Sequence, residues 1–261
     1  MPEGDIALRV ARRLDAAIAG QQLVRGELRW GELGGIDLAG AVVLGNQALG
    51  KHLLTRLADG RTLHTHLRMD GTWRITRAGA ERGADRSHRV RVVLGTPQWP
   101  CIGRELGMVD LLATRDEHRV VGHLGPDLLA DDVDLEECGL RVRAAGDRPI
   151  GAVLLDQTVV CGIGTIYLAE SLWTHRVHPS RPAGQVLEAR DVCATARRLM
   201  LRSANARLPT ATGEHGRGRG THVHGRAGLP CRRCSTPIDV LQVGPPGQER
   251  PAFFCPSCQP D

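Results

Sequence analysis

Asp156-Gln157-Thr158-Val159-Val160-Cys161-Gly162-Ile163-Gly164-Thr165 joins two helix-like segments. On the first, Ile150, Val153, Leu154 and Gln157 fall on one face, and Pro149 stands at the first-turn position that proline favours. On the second, Ile166, Ala169, Leu172 and Trp173 share a face. Gly162 and Gly164 let the backbone approach a ligand closely, and Thr165 has the side chain to cap the following helix. Exposed amides at such a helix start bind phosphate. The plainer alternative is a turn that only reverses the chain.

Downstream, Cys231 and Cys234 are two residues apart, and Cys255 and Cys258 repeat that spacing after an interval of 20 residues. Such pairs place four thiolates around one tetrahedral metal. Residues 238–243 and 251–254 read as strands, with Gly244-Pro245-Pro246-Gly247 as the turn. The expectation is a hairpin carrying one structural zinc ion, since four thiolates leave no open coordination position. A pair of disulfides is the alternative. No apolar signal peptide is visible, and Cys101, Cys138, Cys161 and Cys193 lie in apolar or helical stretches like buried thiols.

Upstream, the chain begins Met1-Pro2-Glu3-Gly4. If Met1 is removed, Pro2 presents a secondary amine that can attack a sugar carbon and form an iminium, with a carboxylic acid next to it. The net charge of +5 and the pI of about 9.0 favour a polyanionic partner. Of 34 basic residues only Lys51 is a lysine. It lies in Gly50-Lys51-His52-Leu53-Leu54, at the start of an apolar alternation where a strand lysine with its head in water is the plain alternative.

A helix is expected over residues 5–19, with Ile6, Val10, Leu14, Ala17 and Ile18 on one face and Gly20 as its stop. Short alternating segments follow to about residue 121. Asp59-Gly60 reads as a tight hairpin turn between residues 53–57 and 63–67, and 88–94 reads as another strand. Many short strands suggest a β-sandwich. Gly125-Pro126-Asp127 begins a linker, and Asp131-Asp132-Val133-Asp134 leads into helices, the last over 187–204. Residues 213–228, rich in glycine, arginine and histidine, read as mobile. A length of 261 residues suits two modest domains, with no transmembrane run.

Taken in order, the Met1-Pro2-Glu3-Gly4 start, Gly50-Lys51-His52-Leu53-Leu54, and His64-Thr65-His66-Leu67-Arg68-Met69-Asp70-Gly71 form one series of motifs. Leu154-Leu155-Asp156-Gln157 with Gly162-Ile163-Gly164, and Arg250 ahead of Cys255-Pro256-Ser257-Cys258-Gln259, continue it. The chain resembles the formamidopyrimidine-DNA glycosylase / endonuclease VIII family of base-excision repair enzymes over nearly its whole length. The Glu3-Gly4 start is closer to the endonuclease VIII side. The resemblance implies an α+β fold: an N-terminal helix plus a β-sandwich domain (1–125), a helix–two-turn–helix DNA-binding domain (126–222) and a zinc-bearing β-hairpin (223–261).

It implies a bifunctional DNA glycosylase and abasic-site lyase that flips a damaged base, bonds Pro2 to C1′ and cuts the strand by β,δ-elimination. Pro2 is the expected nucleophile and Glu3 the general acid, kept protonated by burial. Lys51 is the expected phosphate clamp. The positive end of the helix starting near Asp5 keeps the amine of Pro2 free. Arg68, Met69 and Asp70 align with the wedge that fills the vacated stack, with a plain hairpin tip before Trp73 as the alternative. Gly164, Thr165 and Arg250 are expected to meet DNA, and Cys231, Cys234, Cys255 and Cys258 to hold zinc, with no catalytic cofactor.

Three departures qualify this. Thr165 stands where the family usually has a phosphate-binding asparagine, which leaves either a weaker grip on DNA or a contact passed to the Gly164 amide. Ile6 replaces an early acidic residue. Trp99-Pro100-Cys101-Ile102-Gly103-Arg104-Glu105-Leu106-Gly107 lacks the Arg-Phe reader of the base opposite the lesion, which argues against a strict taste for 8-oxoguanine opposite cytosine. The resemblance to the endonuclease VIII side implies oxidised pyrimidines as the expected lesion. The competing readings are a damaged-DNA-binding protein without catalysis, and an enzyme specialised for abasic sites or bulky adducts. The partner expected is damaged DNA, duplex or single-stranded, bound by a monomer in the bacterial cytoplasm and at the nucleoid while acting.

Overall fold

A computed structural model describes residues 2–80, 86–214, 216 and 218–261. The state of Met1 lies outside the described residues, as do positions 215 and 217 of the segment read as mobile. The chain divides into two compact units. One holds Pro2 and Ile6–His123, the other Glu3–Asp5 and Leu124–Asp261.

The first unit opens with most of α1 (Gly4–Ile18), which starts one residue before the expected position. Ala7, Val10, Ala11, Leu14, Ala17 and Ile18 recur at helical spacing and are all buried. Gly20, with a φ of +73°, follows the helix. Among the described residues, eight strands make two antiparallel sheets. In one the order is β1 (Arg25–Leu28), β6 (Val90–Gly95), β7 (Pro100–Arg104), β5 (Thr72–Ile75). In the other it is β2 (Val43–Leu49), β3 (His52–Leu57), β4 (Arg61–His66), β8 (Met108–Ala113). The Asp59-Gly60 turn forms as expected between β3 and β4, with Gly60 at a φ of +83°. One apolar core takes Leu53, Leu57, Leu63 and Val109 from one sheet, Val92, Leu94 and Cys101 from the other, and the buried face of α1. That shared core makes the sheets a sandwich. A single turn, α2 (His118–Val121), closes this unit.

The second unit is helical. Asp134 caps α3 (Leu135–Ala144) by accepting from the amides of Glu136 at 2.8 Å and Glu137 at 3.1 Å. Next come α4 (Ile150–Leu155), α5 (Thr165–His175) and α6 (Ala189–Asn205). β9 (Asp239–Val243) and β10 (Arg250–Phe254) then pair as the expected antiparallel hairpin. Helix α4 is shorter than its periodicity suggests, ending before Asp156. Gln157 therefore does not extend its face. Its amide nitrogen donates to the carbonyls of Leu155 (2.9 Å) and Ile163 (3.1 Å), and its carbonyl accepts from the Gly162 amide (3.1 Å), bracing the turn from inside. Among the described residues no helix is long and apolar enough to cross a membrane.

Candidate functional site

In the second unit, Glu3 is 1% exposed and docks on the start of α5. Its Oε2 accepts from the amides of Gly164 at 2.9 Å and Tyr167 at 3.4 Å, and its Oε1 from Ile166 at 2.8 Å. These are groups that a helix leaves without internal partners at its N-terminus. The Gly4 amide donates to the Gly162 carbonyl at 3.0 Å, seating the same segment on the glycine turn.

Three expectations change here. Thr165 is not the cap, because the distant Glu3 carboxylate performs that role; the Thr165 hydroxyl lies 3.3 Å from His224 Nε2. The Gly164 amide, expected to face phosphate, donates to Glu3 instead. Burial was expected to keep Glu3 protonated, and the burial is present. However, three backbone donors and the positive end of α5 all favour the charged carboxylate.

Asp5 is also buried, at 2% exposure. Its Oδ2 accepts from the Tyr167 hydroxyl and the Ser203 hydroxyl, both at 2.6 Å. Burial first, then the Asp5 charge, pushes the Tyr167 phenol well above its usual range. Sequence reasoning passed over this pair. The available signal was that Tyr167 is the only tyrosine in the chain.

Glu170, one turn further along α5, was missed too. Its carboxylate accepts from the amides of His222 (2.8 Å), Val223 (2.9 Å) and His224 (3.0 Å), and from His222 Nδ1 (2.9 Å). Burial works to raise its pKa, but the bonds from His222 and the backbone amides outweigh it and the net shift is down. The segment expected to be mobile is therefore fastened at these three residues. The His222 ring stacks on Trp173 at 4.6 Å, and the Arg233 guanidinium lies over Trp173 at 4.1 Å.

The four cysteine sulfurs Cys231, Cys234, Cys255 and Cys258 all lie within 4.8 Å of one another. Individual separations are 3.4 Å for Cys234–Cys255 and for Cys234–Cys258, and 4.0 Å for Cys231–Cys258. Sulfurs about 2.3 Å from a tetrahedral metal stand about 3.8 Å apart, whereas a disulfide needs about 2.05 Å. The cluster fits a metal ion and not a disulfide pair. Arg250 opens β10 directly after the hairpin turn and is exposed. With Arg148, Asp156, Pro245 and Gln248 it lines an open cavity of about 600 Å³.

In the first unit, Pro2 is partly exposed. Lys51 sits in the β2–β3 turn behind Gly50, whose φ is +56°. Around it lies a histidine cluster that sequence reasoning did not assemble. His52 Nδ1 is 2.8 Å from His64 Nε2, and His64 Nδ1 is 2.8 Å from Asp110 Oδ2. Burial first, then the neighbouring histidines and Arg68, pushes His52 down to about 3. Burial, then Arg68, His64 and Lys51, pushes His66 down to about 4. Arg68 has a φ of +54°, donates its amide to His66 Nδ1 at 2.9 Å, and packs its stem where a Gly107 side chain would be. Met69 is 61% exposed at the tip of the β4–β5 loop. The 99–107 segment forms β7 and a turn through Glu105, whose φ is +49°.

Known proteins place this architecture in a class. The N-terminal domain model of formamidopyrimidine-DNA glycosylase matches residues 1–114, and the H2TH domain model of the same enzyme matches 124–207. The chain belongs to the formamidopyrimidine-DNA glycosylase / endonuclease VIII family. Among relatives, it is 40% identical over 259 residues to probable endonuclease 8 2 of Streptomyces coelicolor, covering 99% of this chain and 94% of that one. It is 38% identical to the DNA-(apurinic or apyrimidinic site) lyase Nei2 of Mycolicibacterium smegmatis, covering 99% of each. Among solved structures, the Lactococcus lactis Fpg in complex with oxidized-pyrimidine-containing DNA matches with a TM-score of 0.81 and 25% identity, over 100% of both chains.

Proposed function

We propose that this protein is a bifunctional DNA glycosylase and abasic-site lyase of base excision repair, working through a covalent Pro2–sugar intermediate. The observation that carries the reading is the buried Glu3 carboxylate, fixed by three amides beside a proline that becomes N-terminal when Met1 is removed. An N-terminal amine is largely protonated at neutral pH and is then no nucleophile. The Glu3 carboxylate takes that proton. Pro2 nitrogen bonds to C1′, the bond to the base breaks, its electron pair leaves with the base, and the departing base takes up the proton still on the Pro2 nitrogen. Glu3, now protonated, returns the proton to the ring oxygen as the sugar opens and the iminium forms. Loss of a C2′ proton expels the 3′ phosphate, and loss of a C4′ proton expels the 5′ phosphate.

In the same reading Lys51 clamps phosphate, and its replacement by arginine impairs cutting because a planar fork does not fit a point-charge site. Arg68 and Met69 form the wedge, with Met69 as its exposed apolar tip. Arg250 and Thr165 contact DNA, Thr165 in concert with His224. Gly164 contributes through Glu3 rather than through its own amide. Cys231, Cys234, Cys255 and Cys258 hold one zinc ion, which when bound ties the two ends of the hairpin together. The substrates are oxidised pyrimidines and abasic sites in duplex DNA, handled by a monomer, with domains at 1–125, 126–222 and 223–261. A relative named for abasic-site lyase activity gives a second reading weight: a lyase with little glycosylase action. A panel of defined lesions with borohydride trapping separates the two. Trapping on thymine glycol supports the first, and trapping confined to abasic sites supports the second. Absence of trapping on any lesion refutes both.

A further inference from the structure

Asp5 has no part in the chemistry above, yet it is a buried carboxylate two residues from Glu3. Burying a carboxylate is costly unless its oxygens are well supplied with donors. Here Oδ2 takes two hydroxyls, from Tyr167 and Ser203, while among the described residues Oδ1 has no hydrogen-bond partner. Stability alone gives no reason to bury this carboxylate with its two hydroxyls rather than three apolar side chains of the same volume. The Ser203 hydroxyl also accepts from the Thr210 amide at 3.2 Å, so it is committed to donating toward Asp5. Tyr167 holds both acids of the segment: its amide donates to Glu3 at 3.4 Å and its phenol to Asp5 at 2.6 Å.

We propose that Asp5 is a positioning residue for the lyase reaction, clamping the segment Glu3–Asp5 onto Tyr167 and Ser203 so that the Glu3 carboxylate stays docked on the amides of Gly164, Ile166 and Tyr167. The proposal rests on the assignment of Pro2 and Glu3 given above. Without the clamp, the Glu3 side chain samples positions from which it cannot exchange a proton with Pro2 and the sugar. DNA contacts are untouched, so the loss falls on the chemical step. Asparagine in place of Asp5 keeps one oxygen for both hydroxyls and sets its amide where Oδ1 now stands, so it restores the clamp without the charge.

The test compares the parent with Asp5→Leu, Asp5→Asn and Tyr167→Phe. It uses single-turnover cutting and borohydride trapping on a duplex with one abasic site. Asp5→Leu and Tyr167→Phe are each expected to slow cutting at saturating DNA at least 10-fold, with DNA affinity within twofold of the parent. The double variant should be no slower than the worse single, and Asp5→Asn should recover most of the rate. Because Tyr167 is the only tyrosine, its ring NMR resonances report the contact directly: they should shift in Asp5→Leu and return toward the parental positions in Asp5→Asn. Parental rates in folded Asp5→Leu and Tyr167→Phe, with only a lowered melting temperature, overturn the proposal. If Asp5→Leu does not fold, Tyr167→Phe decides alone, and a parental rate there overturns it. Failure of the parent itself to be trapped refutes the Pro2–Glu3 assignment. A trapped parent with unimpaired variants refutes the positioning role of Asp5 only.

Discussion

The Glu3 carboxylate occupies the space that a side chain on Gly164 would need: a Cβ there would lie 2.3 Å from Glu3 Cδ. The φ of Gly164 is −128°, a conformation open to any residue, so the requirement for glycine is purely one of space. Glu3 cannot yield without giving up three amides.

Gly164→Ala is therefore expected to displace Glu3. Overpacking of this kind costs about 1–3 kcal/mol of stability. Cutting of abasic-site DNA should fall more than 10-fold while binding of the same DNA changes little. Single-turnover kinetics beside a binding titration check this, and parental cutting by a folded Gly164→Ala protein would count against the docked Glu3.

Glu170→Ala removes the acceptor of three amides and one imidazole at once. Stranding such donors around a buried site costs about 3–5 kcal/mol. Hydrogen exchange should show the amides of His222, Val223 and His224 losing protection together. Protection retained at all three would contradict the geometry.

The histidine cluster sets an acid limit on stability. His52 and His66 are lowered in the folded state to about 3 and about 4 from an ordinary 6.5. Between those values the unfolded chain binds more protons than the folded one, so stability rises with pH. Their contribution is complete above about 6.5 and is lost as pH falls through 4 and toward 3. Groups facing the pair are His64, His123, Arg68 and Lys51. Melting temperature measured from pH 7.5 to 4 should drop, and the drop should be shallower in His52→Gln. An equal slope in both proteins would remove the cluster from the account.

Metal removal gives a separate check. Structural zinc in a small hairpin is worth on the order of 10 kcal/mol. One zinc ion per chain is expected by elemental analysis. A strong chelator should unfold the β9–β10 hairpin and abolish DNA binding, with both restored by zinc. A metal-free protein that binds DNA at parental affinity would refute the structural role.

Local signals were legible and distant pairings were not. The cysteine spacing, the Asp59-Gly60 turn and the apolar stripe of α1 are properties of neighbouring residues, and each formed where expected. The cap on α5 comes from Glu3, 161 positions upstream of Gly164. The Asp5–Tyr167 and Glu170–His222 pairs span 162 and 52 positions. No periodicity encodes such contacts. Thr165 looked like a cap because a nearby hydroxyl is the usual solution, and a carboxylate from elsewhere displaced it. Gln157 fitted the helical period of α4, yet its amide is worth more satisfying three polar groups of the turn than extending an apolar face. The lone tyrosine and the mid-helix glutamate were visible as residues, but their partners were not.

Borohydride trapping followed by peptide mass mapping reads the covalent Pro2–sugar intermediate itself. Protein with Met1 removed, incubated with abasic-site DNA and borohydride, should yield a stable adduct in which the sugar is attached to the Pro2 nitrogen, and Pro2→Gly should trap differently or not at all. Correctly processed, folded protein that binds the DNA but gives no adduct, or an adduct mapped to Lys51, would contradict the account.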